Sequence, residues 1–379
     1  MNVKFIVFSK EFLPLFIFIF IINFFSSLIL TRFSLFLAKK YKILDSKESN
    51  PNRKTQKKPV PLLGATGFIF SSSFWMVLIW LVAKNKLPFL DFSEIEVFSN
   101  LDLFLLKNLD VFKLFWIFIS ILILFLAGFL DDKFKFSSKI MILPILTAVL
   151  TTVFLGGVSI STLSYSFIWL LPSNLFLQDL LAVIWLILCI SATKFLDGLD
   201  GLVSSLGIIA LLTIATVASF ANVDQPFIVF LAILWAVGIL GFLPYNYPDA
   251  KIYLGEGGSL IIGFLIGVLS ILSGAKIATS SAVIGWFVYD ILFVMSLRIL
   301  RKKNPLEGDR LHWHFRLQDL GLKKWQVLWL TNFLVFISAL LGIFLPTHLK
   351  LYFLIFQGVF LIFIFTLTEL LSKRNKIKG

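Results

Sequence analysis

The chain has 379 residues, is 59% hydrophobic and only 15% charged, and carries a net charge of +13. Soluble domains run at roughly 45–50% apolar and about 25% charged residues, so this composition excludes an ordinary soluble fold and points to a membrane protein. The basic residues fall in gaps between apolar runs and not on one amphipathic surface, so orientation in a membrane accounts for them and nucleic acid is not an expected partner.

Apolar runs near the length that crosses hydrocarbon as helix, about 17 to 25 residues, recur along the whole sequence. The first, residues 12–38, is too long for a signal-peptide core and no small-residue cleavage pattern precedes Lys39, so it is expected to be a retained helix. After it come 67–83, 114–130, 140–155, 177–190, 202–220, 227–243, 259–272, 282–300, 327–345 and 351–371. The expected fold is therefore all-α, an integral membrane protein of about eleven transmembrane helices in a single polytopic domain, 1–379. No repeat of 20 to 50 residues is evident. The single cysteine, Cys189, lies in an apolar run and is expected to fill the core, and the 44 phenylalanines suit lipid-facing positions.

Alternating the crossings sorts the basic residues. One side collects Lys39, Lys40, Arg53, Lys54, Lys57, Lys133, Lys135, Arg298, Arg301, Lys323, Lys324 and Lys373, among others. The opposite side holds mainly Lys4, Lys10, Lys84, Lys86, Lys107, Lys113, Lys276 and Lys350. Positive charge is retained in the cytoplasm, so the first set is expected there. Every chemically loaded stretch falls on that same side, and a shared face allows a shared site.

The first such stretch is "NRKTQKKPVPLLG", and the next is "GFLDDK", where an apolar run stops on Asp131 and Asp132. Two acids at a helix end repel each other and oppose the local dipole, which favours cations there; a divalent metal or a lysine would resolve the conflict, and a solvated helix end is the plain alternative. In "DGLDGL", Asp197 and Asp200 are each followed by glycine, with Lys194 just upstream. An ordinary interhelical turn explains that pattern. So does a backbone shaped to admit a bulky polar ligand.

"GEGGS" opens the next apolar run with amides suited to anions, without the Gly-Lys-Ser/Thr ending of a phosphate-binding loop. Glu256 within it offers a hard oxygen to Mg²⁺, which takes one or two protein carboxylates together with substrate phosphates. In "DRLHWHFRL", His312 and His314 lack the spacing of a zinc helix; beside Arg310 and Arg316 they suit phosphate, or simply an anionic lipid surface. Asp290 lies inside an apolar run, where an ionisable group marks either function or a polar contact between helices.

Taken in order, these stretches resemble the polyprenyl-phosphate N-acetylhexosamine-1-phosphate transferase family, of the glycosyltransferase 4 type, which includes the phospho-N-acetylmuramoyl-pentapeptide transferases. The resemblance covers residues 45–321. Arg53, Lys54 and "PVPLLGA" are similar to its basic pair and "PVPRxGG", with Lys57 at the lysine placed near the diphosphate. Asp131 and Asp132 match its paired catalytic aspartates, and Asp197, Gly198 and Asp200 its nucleotide-side motif. Asn246 and Glu256 match the asparagine and metal-binding aspartate of "NxxPAKxFxGDxGS", while His312 and His314 match the histidine loop of the N-acetylglucosamine-type branch. The departures are Gln56 for histidine, Ala65 for glycine, Ser191 and Lys194 for two asparagines, Glu256 for aspartate and Phe315 for histidine.

The resemblance implies transfer of a sugar 1-phosphate from a UDP-N-acetylhexosamine, UDP-N-acetylglucosamine or a derivative, to a polyprenyl phosphate such as undecaprenyl phosphate, releasing UMP and starting a cell-envelope glycan. It implies catalytic roles for Asp131, Asp132, Lys57, His312 and His314. Substrate binding falls to Asp197, Gly198, Asp200, Asn246, Lys194 and Arg310. Mg²⁺, with Mn²⁺ as a substitute, would be held by Glu256 and Asp131. The setting would be the bacterial inner membrane, multi-pass, with the site facing the cytoplasm; a homodimer is compatible with this. Direct attack by the lipid phosphate is expected, with Asp131 near the metal and Asp132 holding or deprotonating that phosphate; a covalent aspartyl intermediate is the alternative. The alternatives are the phospho-N-acetylmuramoyl-pentapeptide transferase reaction, a transporter or flippase of a lipid-linked anion, and an inactive relative.

Overall fold

The computed structural model describes residues 13–46, 58–83, 110–160, 175–220, 223, 225–273, 277–303 and 310–378. Each of the eleven apolar runs coincides with a helix. In chain order they are α1 (Leu13–Lys40), α2 (Thr66–Ala83), α3 (Val111–Phe134), α4 (Ser138–Leu150, prolonged by a π-helical turn, Thr151–Leu155) and α5 (Leu175–Leu196). Then follow α6 (Leu202–Ala218), α7 (Pro226–Asn246), α8 (Glu256–Leu272) and α9 (Ile277–Leu300). A short helix not expected from hydropathy, α10 (Trp313–Asp319), precedes α11 (Lys324–Phe344) and α12 (Thr347–Lys378). Two-residue strands β1 (Leu44–Asp45) and β2 (Val60–Pro61) pair antiparallel, Asp45 opposite Val60.

The protein is a multi-pass, all-helical membrane protein. Among the described residues, seven helices are long and apolar enough to cross a bilayer, from Leu13–Lys40 to His348–Thr368. Four more apolar helices are shorter: Thr66–Ile79, Lys139–Leu155, Leu202–Ala218 and Glu256–Leu272.

Helix α8 is the inner element, buried without a break from Gly257 to Ile271, as expected of a helix that is apolar on every face. Helices α3, α5 and α6 pack around it, and α1 covers α7 from outside. Phe18, Phe25, Phe33 and Phe36 of α1 and Phe333, Phe336 and Phe363 of α11 and α12 are each at least half exposed. Large apolar side chains left open in this way need hydrocarbon around them. The phenylalanine excess is thus spent largely on the outer surface.

Small polar side chains fasten the interior. Asn23 Nδ2 donates to the Leu234 carbonyl at 2.8 Å, and Trp185 Nε1 donates to Ser270 Oγ at 2.8 Å. Without water or lipid headgroups, such donors must find partners inside the bundle. Cys189 is buried and unpaired, filling the core as expected.

Helix ends run further than hydropathy indicates. Helix α3 continues through Asp131, Asp132 and Lys133 to Phe134 and closes on Lys135 in a left-handed conformation, its N–H bonded to the Asp131 carbonyl at 2.7 Å. Helix α5 continues to Leu196, which places Lys194 on its last helical turn.

Candidate active site

Helix termini meet in one open cleft of about 230 Å³. Asp131 and Asp132 arrive on the last turn of α3, Asp197, Gly198 and Asp200 on the turn between α5 and α6, Asn246 at the end of α7, and Glu256 at the start of α8. Seven of the residues singled out from sequence therefore share a wall.

Close backbone contact makes this convergence. A side chain on Gly128 would collide with the backbone of Gly257, so α3 crosses α8 with no spacer one turn before the aspartates. Gly255 adopts φ +81°, and a Cβ there would strike Asp132 Oδ2. The glycine admits the aspartate, whose Oδ1 accepts the Glu256 N–H at 3.1 Å. That N–H is one of the donors an α-helix leaves unpaired at its start, so Asp132 caps α8 from another helix.

Asn246 has a framework role within the wall. Its Oδ1 accepts from Gly201 N at 3.1 Å and Ser204 Oγ at 2.9 Å, and its Nδ2 donates to the Ile252 carbonyl at 3.2 Å. It ties the first turn of α6 to the loop between α7 and α8. Asp200 Oδ2 accepts from Lys324 Nζ at 2.8 Å and Ala250 N at 3.3 Å, drawing the start of α11 onto the same loop.

The histidine stretch borders the cleft without reaching it. His312 and His314 are buried, and it is Phe315 and Gln318 of α10 that line the wall. His312 Nδ1 and the Trp313 N–H each lie 2.9 Å from the carboxylate of Asp290, a contact that anchors α10 to α9. Asp290 thus has the polar interhelical contact that was one of its two readings. Arg310 turns to Asp319 at 3.1 Å and lies over the Phe315 ring, while Arg316 donates to the Phe365 carbonyl at 2.7 Å. Lys57, with Arg53, Lys54 and Gln56, lies outside the described residues. Lys194 pairs with Glu256 at the cleft edge.

Asp45, Lys135, Tyr253 and Lys324 also line the cleft and were not assigned to the site from sequence. Lys324 carried a signal: a cation in the first turn of a helix opposes the dipole, the mirror image of the argument applied to Asp131 and Asp132. Tyr253 stands among acids, and burial, then the charges of Asp200, Asp45, Asp197 and Asp249, push its phenol up from the ordinary range.

Six carboxylates, Asp45, Asp131, Asp132, Asp197, Asp200 and Glu256, face two lysines, Lys135 and Lys324, around the cleft. An excess of negative charge at a partly buried wall favours cations. Among the described residues no three metal-ligating side chains form a ready cage. The donor set fits Mg²⁺ of the kind that takes one or two carboxylates and completes its shell with phosphates and water.

A membrane protein with an acidic, cation-seeking cleft built from helix ends is the class defined by this geometry. The sequence pattern of glycosyl transferase family 4 matches residues 114–274, which span α3 to α8. A probable undecaprenyl-phosphate N-acetylglucosaminyl 1-phosphate transferase of Bacillus subtilis (strain 168) is 30% identical over 263 residues, covering 67% of this chain and 73% of the relative. An undecaprenyl-phosphate alpha-N-acetylglucosaminyl 1-phosphate transferase of Thermotoga maritima is 26% identical, covering 54% of this chain and 62% of its own length. A phospho-N-acetylmuramoyl-pentapeptide-transferase of Prochlorococcus marinus (strain MIT 9215) is 27% identical over 368 residues, covering 88% and 91%. The chain belongs to glycosyl transferase family 4.

Proposed function

We propose that this protein transfers N-acetylglucosamine 1-phosphate, or a closely related hexosamine 1-phosphate, from its UDP derivative to a polyprenyl phosphate such as undecaprenyl phosphate. The products are UMP and a lipid-linked diphosphosugar. The observation that carries this reading is the meeting of Asp131, Asp132, Asp197, Asp200 and Glu256 around one cleft. The names of the Bacillus and Thermotoga relatives support the hexosamine and the lipid.

In balanced terms, an oxygen of the lipid phosphate forms a bond to the sugar-bearing phosphorus. The bond from that phosphorus to the bridging oxygen breaks, and UMP leaves with that oxygen. A phosphate monoester has a second pKa of about 6, so the acceptor arrives largely ionised and needs orientation more than deprotonation. Asp132, its side chain fixed by the Glu256 amide, orients the acceptor phosphate, and Asp131 stands beside it. Asp197 and Asp200 face the nucleotide half, with Lys324 on Asp200 and Tyr253 alongside. Lys57 keeps the role implied by the family pattern, whereas His312, His314 and Arg310, which do not line the cleft, support it from behind by fixing α10.

Glu256 and Asp131 would hold Mg²⁺, or Mn²⁺ in its place, and when bound the ion supplies charge neutralisation to the diphosphate. The remaining work is positioning. We further place all eleven apolar helices across the bacterial inner membrane with the cleft open to the cytoplasm, where nucleotide arrives from solution and lipid from the bilayer. Purified protein given UDP-N-acetylglucosamine, Mg²⁺ and a short polyprenyl phosphate is expected to release UMP in proportion to lipid product. No UMP from any UDP-hexosamine would end this reading.

A further inference from the structure

Glu256 does not face the cleft as an isolated carboxylate. The ammonium of Lys194, from the last turn of α5, contacts Glu256 Oε1, and both side chains are about one-fifth exposed. Two other cleft acids also carry a lysine, Asp200 with Lys324 at 2.8 Å and Asp45 with Lys135 at 4.0 Å. The Lys194 pair differs in its place. Glu256 adjoins Asp131 and Asp132 on the wall, where the local charge most favours a divalent cation, and Lys194 already neutralises one of its oxygens.

We propose that Lys194 is an exchangeable internal cation: it holds Glu256 while the cleft is empty, and yields it when a divalent ion binds. The released ammonium then turns to the diphosphate of the nucleotide sugar. A lysine suits such an exchange because its charge sits on a flexible four-carbon stem with three donors and no fixed geometry. Ion and diphosphate binding become coupled, since each takes one half of the same ion pair. The second step rests on the transferase reading. The exchange at Glu256 does not.

The test is Mn²⁺ binding, followed by electron paramagnetic resonance on detergent-purified full-length protein without nucleotide. Lys194→Gln is expected to bind Mn²⁺ roughly ten-fold tighter than wild type, within the range by which linked sites couple. Lys194→Arg should match wild type, and Glu256→Gln should bind more weakly than either. Equal or weaker binding by Lys194→Gln overturns the proposal. So does a wild-type protein that binds no Mn²⁺.

A second measurement needs no variant. The rate at which an amine-reactive ester acetylates Lys194 in wild-type protein, read by mass spectrometry, should rise several-fold on adding Mn²⁺. A lysine that serves only to cap α5 would show no change, and that result also overturns the proposal. UMP release, assayed on the same preparation, judges the transferase reading separately. Protein that shows the lysine response without UMP release keeps the exchange and loses the reaction.

Discussion

The carboxylate of Asp132 accepts the backbone N–H of Glu256 at 3.1 Å, so the last turn of α3 is bonded directly to the first residue of α8. Two helices from distant parts of the sequence thereby present Asp131, Asp132 and Glu256 as one wall. The acidic pair at the end of α3 is a joint as well as a source of charge.

That double role makes a specific prediction for Asp132→Asn. The asparagine carbonyl can still accept the Glu256 amide, so folding should survive, and the melting temperature should stay near that of wild type. Removing the charge should lower the rate of UMP release by roughly 10² to 10³-fold, as loss of one fixed electrostatic group does at other phosphoryl and acyl sites. Equal activity in the variant would detach Asp132 from the chemistry.

The crossing of α3 over α8 can be tested away from any charge. Gly128→Val would drive a branched side chain into the Gly257 backbone. Overpacking of this kind costs about 1–3 kcal/mol or more, so thermal unfolding should shift downward and activity should fall with it. A stable, active variant would contradict the backbone contact.

Asp290→Ala probes the support behind α10. It would leave the His312 ring and the Trp313 N–H buried without their shared acceptor, at a cost of ~1–3 kcal/mol for each unsatisfied group. The expected readout is a lower unfolding temperature, with Mn²⁺ affinity at Glu256 largely kept. Unchanged stability would mean that α10 is held by its apolar contacts alone.

Lys324→Met removes the cation that joins α11 to Asp200. The pair is partly exposed, so the stability loss should be small, on the order of 1 kcal/mol or less. The larger effect should be a raised KM for the UDP-sugar, because Asp200 would face the nucleotide uncompensated. A changed kcat with an unchanged KM would place Lys324 elsewhere in the reaction.

Direct attack by the lipid phosphate predicts no burst of UMP when acceptor is withheld. Rapid-quench measurement on purified protein with UDP-sugar and Mg²⁺ should give a flat baseline. A stoichiometric burst would instead support the covalent aspartyl route.

Much of this arrangement was legible in the sequence, because hydrocarbon imposes a simple rule: apolar runs become helices, and polar clusters gather at their ends. Each of the eleven runs carries a helix, and Asp131, Asp132, Asp197, Asp200 and Glu256 share one cleft. What hydropathy could not give was the last turn of each helix. Helix α5 extends six residues beyond the apolar run ending at Ile190, so the sequence offered Lys194 an acid or a phosphate as partner without showing that the acid is Glu256. Asp45 reaches the wall through a two-residue strand, a feature too short for any periodic signal. Burial of His312 depends on the demand of Asp290 for donors, and no local pattern around either residue reports that partnership.

UMP formation from UDP-N-acetylglucosamine by the purified protein, compared with and without polyprenyl phosphate and with and without Mg²⁺, tests the central claim most directly. The account predicts release only when lipid phosphate and metal are both present, and its near-complete loss in Asp131→Asn. Passage of a lipid-linked anion across vesicles with no UMP formed under any of these conditions would contradict it.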